Sequence, residues 1–380
     1  MPSQPRQPNI YDVARLARVS HQTVSRVLND NPSIRPETKQ RVLRAMEQLG
    51  YRPSLAARAL ASARTKMIGV LSSDTDFSGP ASMVNAMESA ARTAGYFTVS
   101  CGIDPDSADS VMEGVEHLMK VGIEGLALIS PHSTAVELVR ANVVSIPVVT
   151  LDSMYRIDEL AVSVDNFAGA ATATQHLIDL GHKNILHISG PRNWFESNTR
   201  AAGYTSTVLN ANLVPMIIEG DWQAETGYLL ASEFDFDERA VTAVFAANDR
   251  MALGIQRACR ERGITIPERL SLVGFDDLEE TAYYNPPLTT MRQDFRVLGE
   301  SAMNLLLGEL SGSTSGKLTR IVPEFILRES TSRPPELNGE DRVGLEAKEA
   351  LELDAEFQSV ISTISSDRSH RTELAEEPNE

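Results

Sequence analysis

Two short helices with almost nothing between them leave a chain few ways to fold, and residues 9–29, NIYDVARLARVSHQTVSRVLN, read that way. Asn9 followed three residues later by Asp12 is a helix start. The asparagine oxygen accepts from exposed amides, and the aspartate favours the positive helix end. Val13, Leu16 and Ala17 then recur at helical spacing. Ser20 is a second N-cap, and Val24, Val27 and Leu28 form the buried side of the helix it opens. The opposite side carries His21, Gln22, Ser25 and Arg26, neighbours at i, i+3 and i+4. A helix with donors and acceptors along one face, locked to a first helix by its other face, suits the DNA major groove. A solvated surface helix is the alternative reading of this stretch alone. A third helix follows with Pro36 at its first position, Val42, Leu43, Met46 and Leu49 on one face, and Gly50 as its stop. The three make a small all-α helix-turn-helix headpiece.

Charge supports that reading once it is divided by region. Residues 1–66 hold twelve Arg or Lys against four Asp or Glu, a local +8. The other 23 basic and 48 acidic residues give −25, and the whole chain −17. Screening over roughly 8–10 Å at cellular salt means that DNA meets the local +8, while the acidic body discourages nonspecific contact. At 380 residues the chain is too long for one core, so two or three domains are expected. The start, MPSQPRQPN, has no apolar leader region, and no stretch is long enough to span a bilayer. A cytoplasmic protein is expected. Cys101 and Cys259 form no metal-type or redox pair and read as ordinary buried thiols.

After Gly50 the chain reads YRPSLAARALASARTKMIGV. The segments IYDVARLARVS, QTVSRVLN, RPETKQRV, LGYRP and ARALAS stand in this order, with GDW, FAANDRMALG, LVGFDDLEE and PPLTTMRQDF further on. In these segments the chain resembles the lactose-repressor/galactose-repressor family of bacterial transcription regulators over about residues 9–333, most strongly on its lactose-repressor side. The resemblance implies a hinge helix, Ser54 to Ala61, that orders only on the operator, with Leu60 pushed into the minor groove at the centre of a palindrome. Eight residues rich in Ala and Leu are too few to hold a helix alone in water, which fits folding on binding. Apolar wedges between base steps are a known way to kink DNA. In this reading His21, Gln22 and Arg26 read bases, Ser20, Thr23, Ser25, Asn29 and Thr38 contact phosphates, and Asn9 belongs to the same DNA-binding set. Arg35 stands where the family often has a small hydroxyl cap, which puts one phosphate contact in doubt.

From Lys66 to about Arg333, β-rich runs alternate with amphipathic helical segments. The runs are Met67–Leu71, Phe97–Cys101, Leu126–Ile129, Val148–Leu151, Ile185–Ile188, Val244–Ala246 and Leu272–Phe275. Repeated βα units imply parallel sheets with right-handed crossovers. The resemblance implies two such lobes crossed near residues 163, 292 and 321, the periplasmic sugar-binding-protein fold. The expected domains are a headpiece at 1–50, hinge and linker at 51–66, a two-lobed ligand-binding and dimerisation core at 67–333, and an acidic tail at 334–380.

In open α/β sheets ligands bind beyond the carboxyl ends of the strands. The residues there are polar: Ser72, Ser73 and Asp74 after the first run, Asp152 after VVTL, Asn248 and Asp249 after AVFAA, and Asp276 and Asp277 after LVGF. Arg200 opens a helix after the HISGP turn, and Gln293 follows TTMR. Carboxylates, amides and a guanidinium pair with adjacent hydroxyls, as a neutral sugar requires. Trp222, Phe77 and Phe295 could cover an apolar ring face. Asp or Asn at a strand end also serves as a helix cap, and Asp249 and Asp277 look more like caps. By the resemblance, Asp152, Arg200, Asn248 and Asp276 are inducer-binding positions, Trp222 and Gln293 belong to the pocket, and Ser73 lies at its mouth. Val164 replaces an aromatic and Phe77 an aliphatic residue, so a galactoside-like sugar is expected with its identity open.

Catalytic signatures such as GxSxG, HExxH, CxxC and GxGxxG are missing, so no enzyme and no cofactor beyond a sugar effector is expected. Gly312 to Lys317 falls one residue short of a phosphate-binding loop. His117, His132, His176, His182 and His187 lack ligand spacing. In the tail Ala350, Leu353, Phe357, Val360 and Ile364 form about two heptads, which allow a dimer of dimers or leave a solvated, disordered segment. The sequence therefore describes a repressor that binds a palindromic operator as a homodimer and releases it when a sugar binds. Rival readings are a family member needing a purine or a phosphorylated protein as corepressor, a sugar-binding transport protein, and an enzyme on an α/β scaffold.

Overall fold

The computed structural model describes residues 8–28, 31–51, 64–73, 78–151, 160–313 and 318–335. The expectations for Asn29, the hinge helix with Leu60, Phe77, Asp152, most of the 312–317 loop and the tail from 336 onward lie outside the described residues.

The headpiece is three helices: α1 (Ile10–Ala17), α2 (His21–Leu28) and α3 (Pro36–Leu49). Asn9 and Asp12 close a reciprocal cap. The Asn9 side-chain oxygen accepts from the Tyr11 and Asp12 amides, and Asp12 accepts from the Asn9 amide at 3.0 Å. The Ser20 hydroxyl accepts the Thr23 amide at 3.1 Å and so starts α2. Helix α3 begins at Arg35 with no side-chain cap and stops at Gly50, whose φ of 62° lies in the left-handed region. Val13, Ala14, Ala17, Val24, Val27, Val42 and Ala45 form the core. Leu16 and Leu43, expected inside, are exposed. The buried set on α1 is centred on Ala14 and Ala17, about one residue, or 100°, away from Leu16.

The body holds two three-layer α/β units. In the first, β1 (Met67–Ser72), β2 (Phe97–Gly102), β3 (Gly125–Ile129), β4 (Val148–Leu151), β5 (Leu160–Val164) and, late in the chain, β11 (Leu318–Ile321) form one parallel sheet, ordered β11-β5-β4-β3-β1-β2. One face packs on α4 (Ser78–Thr93) and α11 (Phe295–Ser311) through Met83, Met87, Leu298, Met303 and Leu306. The other packs on α5 (Ala108–Val121) and α6 (Ser133–Asn142) through Val111, Val115, Leu118, Val136 and Val139.

The second sheet is ordered β7-β6-β8-β9, from β6 (Ile185–Ser189), β7 (Met216–Glu219), β8 (Ala243–Ala246) and β9 (Ser271–Val273). Helices α7 (Asn166–Leu180) and α8 (Phe195–Asn210) cover one face, with Ala170, Leu177, Tyr204 and Val208 inside. Helices α9 (Ala224–Glu233) and α10 (Asp249–Glu261) cover the other, with Leu230, Met251, Ile255 and Cys259 inside. A short antiparallel pair, β10 (Thr290–Arg292) with β12 (Glu324–Ile326), adjoins this lobe. The chain passes between lobes after β5, between β10 and α11, and between β11 and β12. They fall near residues 163, 292 and 321, where the resemblance implied crossings. Cys259 is buried, which pushes its thiol up to about 12, whereas Cys101, expected buried, is half-exposed at the end of the edge strand β2. Among the described residues no helix is long and apolar enough to cross a membrane.

Candidate functional site

A cleft of about 700 Å3, counting its open mouth, lies between the lobes. The first lobe contributes Gly79, Pro80 and Met83 from α4, with Ile129, Ser130 and Pro131 at the end of β3. The second contributes Trp194, Glu196, Arg200, Trp222, Asn248, Arg250, Asp276 and Leu278. Gln293 and Phe295 sit at the crossing between them. The cleft thus lies at strand carboxyl ends, as the topology requires.

Of the nine expected ligand contacts, Arg200, Trp222, Asn248, Asp276, Gln293 and Phe295 come together here. Ser73, expected at the mouth, is instead buried and does not line the cleft; its hydroxyl donates to that of Ser130, which does, at 3.4 Å. Val164 is buried at the end of β5.

Arg200 organises the charged end. It is only 4% exposed. Its Nε donates to Asn166 Oδ1 at 2.8 Å, and Nη1 donates to the Ala247 carbonyl and lies 3.6 Å from Asp276 Oδ1. Its guanidinium carbon stands 3.8 Å from the Phe275 ring centroid and 5.5 Å from that of Trp222. Two of its donors are thus committed to the protein, which fixes the fork in one orientation.

Asp276 accepts from the Gln293 side-chain amide. Burial pushes its carboxyl up to about 6, against the opposing pull of Arg200, Gln293 and Arg250. Its φ is 114° and that of Trp222 is 70°, a region that L side chains adopt rarely. Outliers of this kind persist where surrounding structure over-determines them, and they cluster at functional sites. At Trp222 the surrounding structure is visible. Asn248 donates from Nδ2 to the Trp222 carbonyl at 3.0 Å, and its Oδ1 accepts the Met251 amide at 2.9 Å. Gly190 lies under the indole; a Cβ there would stand 2.1 Å from Cζ2.

The expected caps are reassigned. Asn248, expected to meet ligand, is itself the N-cap of α10 and also holds Trp222 in place. Asp249, expected to cap, is instead fully buried and accepts from Thr290 Oγ1 at 2.6 Å and the Leu278 amide at 2.9 Å. Burial, with Asp276 nearby, holds its carboxyl well above the usual range. Gly274 permits this approach, because a Cβ there would stand 2.2 Å from Asp249 Oδ1. Asp277 caps nothing either. It pairs with Arg328 at 2.6 Å and Arg292 at 2.7 Å. Burial works to raise its pKa, but those two hydrogen-bonded cations prevail and hold it low.

In the headpiece, His21, Gln22 and Arg26 are exposed on one side of α2, with Ser25 half-buried beside them. Val24 and Val27 are buried on the other side. The Tyr11 ring lies 5.2 Å from that of His21, so α1 braces the start of this face. Asn9 and Ser20 spend their side-chain oxygens on caps, and the Thr23 hydroxyl meets that of Ser20 at 3.0 Å.

Comparisons with known proteins agree with both halves. A family model described as bacterial regulatory proteins, lacI family, matches residues 9–54, and one for a periplasmic binding protein-like domain matches residues 174–331. The lactose operon repressor of Escherichia coli (strain K12) is 32% identical over 331 residues, covering 86% of this chain and 91% of that protein. The chain belongs to the lacI family. The HTH-type transcriptional repressor PurR of Haemophilus influenzae is 34% identical over 331 residues, 84% of this chain and 98% of that one. A crystal structure of the lac repressor dimer bound to operator and the anti-inducer ONPF superposes with a TM-score of 0.80 at 31% identity. That likeness covers 86% of this chain and all of the other. As a member of the lacI family the chain is a DNA-binding transcription regulator, and its relatives are named as repressors rather than enzymes.

Sequence reasoning missed Trp194, Glu196, Arg250 and the α4 wall of the cleft. For Glu196 a signal was present: it stands four residues before Arg200, on the same face of α8. Arg250 stands two residues after Asn248 at the start of α10. For Trp194 and Met83 the sequence carried none.

Proposed function

We propose that this regulator is a repressor that binds a palindromic operator as a homodimer and releases it when a neutral sugar fills the cleft. The observation that carries the reading is the Arg200–Asp276–Gln293 group: a guanidinium, a carboxylate and an amide held in fixed orientation beside Trp222. Such groups pair with adjacent hydroxyls, and an indole covers an apolar ring face. Phe295, Asn248 and Ser73 complete or support the pocket, and Phe77 and Asp152 are proposed to join it. The α2 face supports the DNA half of the reading: His21, Gln22 and Arg26 read base edges, with Gln22 preferring adenine and Arg26 guanine. Ser20, Thr23, Ser25, Asn29 and Thr38 fix the register on phosphates. Asn9, whose oxygen is engaged in the cap, acts mainly by starting α1.

A palindrome requires two reading heads, and exposed Leu253 and Tyr283 give the second lobe apolar surface for a partner copy. The hinge at 51–66, Leu60 as wedge and the tail as a joint between dimers belong to the same proposal. Coupling of about 1–3 kcal/mol between cleft and operator would change affinity about 5–150-fold. The similarity to PurR favours one further reading, in which ligand strengthens rather than weakens operator binding. Gel-shift titration separates them. Asp276→Asn or Arg200→Ala is expected to keep operator binding and lose the response to sugar. A normal response from both variants would contradict the pocket assignment.

A further inference from the structure

Residues 64–66, the last before β1, are bonded to the first lobe one after another. The Arg64 guanidinium donates to Glu124 Oε2 from Nε at 3.1 Å and from Nη2 at 2.7 Å, and Nη2 also donates to the Tyr96 hydroxyl at 2.9 Å. The Thr65 hydroxyl donates to the Gly122 carbonyl at 2.6 Å. The Lys66 amide donates to Glu124 Oε1 at 2.8 Å, and Lys66 turns the chain at a φ of 53°, in the left-handed region. Both oxygens of Glu124 are thereby engaged, and its side chain is only 15% exposed. β1 does not need these side-chain bonds to begin. Its start is already held by backbone bonds, from the Phe97 amide to the Lys66 carbonyl at 2.9 Å and from the Glu124 amide to the Met67 carbonyl at 2.8 Å. The side-chain bonds act upstream of the strand, on the direction in which the linker leaves the lobe.

Glu124 also stands in line with the cleft. It immediately precedes β3, whose far end brings Ile129 and Ser130 to the cleft, six residues or about 20 Å away. We propose that Glu124 is a positioning residue for operator recognition: it clamps Arg64 and Lys66 so that movement of the first lobe turns the linker instead of being absorbed by slack. Freeing residues 64–66 would add about 10 Å of extensible chain between Leu60 and β1, the length of about three base-pair steps. An ion pair whose arginine is half-exposed adds little to stability, so the clamp acts through geometry. This inference rests on the reading above of a dimer on a palindrome and names a residue that fixes the spacing of its two heads.

Fluorescence anisotropy of the full-length chain without sugar tests it on three duplexes: the palindrome selected by the protein from random sequence, the same palindrome with one base pair inserted at its centre, and a single half-site. Wild type is expected to prefer the selected spacing about tenfold or more. Glu124→Ala is expected to cut that preference about threefold or more, and Arg64→Ala to do the same. The double variant should go no further than either single, because both remove one interaction. The ratio between two duplexes cancels the charge lost with Arg64, which weakens both alike. Arg64→Ala, at a half-exposed residue, keeps the test open if Glu124→Ala folds poorly. An unchanged preference in both single variants overturns the clamp, as does equal loss on both palindromes or an additive double variant. Wild type that prefers the palindrome but ignores its spacing also overturns it. Wild type that binds the single half-site as tightly as the palindrome contradicts the two-headed reading itself, and the clamp falls with it.

Discussion

His21, Gln22 and Arg26 stand in solvent on an eight-residue helix, whereas Arg200, Asp276 and Gln293 are gathered from three separated segments and largely buried. The headpiece has a core of valines and alanines, stopped and started by caps, and its functional face is whatever the core leaves outside. The cleft is built in the reverse order. Its polar groups are first satisfied by protein partners, Asn166, the Ala247 carbonyl and each other, and only then shape a surface for ligand. Local sequence therefore specifies the first site almost completely, and tertiary packing specifies the second. The same contrast predicts how each site fails. Exposed groups are lost one at a time, while buried ones are lost together.

The largest effect is expected at Arg200. Arg200→Ala leaves Asn166 Oδ1 and the Ala247 carbonyl without this donor and Asp276 without its cation, and removing one partner of a buried charged pair costs about 3–5 kcal/mol. Urea denaturation should show a loss in that range alongside a lost sugar response; a stability change under about 1 kcal/mol would refute the buried network. Next comes Arg26→Ala, expected to weaken specific operator binding by about 1–3 kcal/mol and leave sugar affinity unchanged. Fluorescence anisotropy with specific and scrambled duplexes checks it, and equal loss on both would reassign Arg26 to the phosphates.

Acid should separate the two sites. The folded pKa of Asp276 is raised to about 6, above its unfolded value, so its contribution to stability is present at low pH and lost as pH rises through about 6. Sugar that needs the ionised carboxylate as acceptor behaves oppositely, binding about tenfold more weakly at pH 5 than at pH 7. Asp276→Asn should flatten that profile, and an unflattened one would place the titration elsewhere. The smallest effect is expected at Arg35, where α3 starts without a side-chain cap. Arg35→Ser should stabilise the headpiece by about 1 kcal/mol and leave the cleft untouched, which hydrogen exchange on α3 would detect.

How much the sequence revealed follows the same division. The Asn9–Asp12 cap, the Ser20 cap, the α2 face and most central strands are local and were readable. Leu16 and Leu43 were misplaced because helical spacing identifies candidate faces, and only helix crossing decides which one is buried. Strands β5, β7, β10, β11 and β12 were not read; at three to five residues they are no shorter than β4, β8 and β9, which were read as apolar runs, so length alone does not separate the two sets. In the cleft, strand ends were found but their division of labour was not. Asn248 caps and positions, Asp249 is buried behind, and Asp277 pairs with arginines. Gly190 matters for the indole it lies beneath, a contact 32 residues away in the chain that no local pattern records.

Occupancy of the cleft should change the grip on DNA. The direct measurement is anisotropy of a labelled palindromic duplex, selected by the full-length protein from random sequence, titrated with protein at saturating cellobiose or lactose and without sugar. Operator affinity is predicted to fall about 5–150-fold when sugar that binds wild type is present, and to stay constant in Asp276→Asn. Affinity that is unchanged, or that rises, for wild type with bound sugar would contradict it.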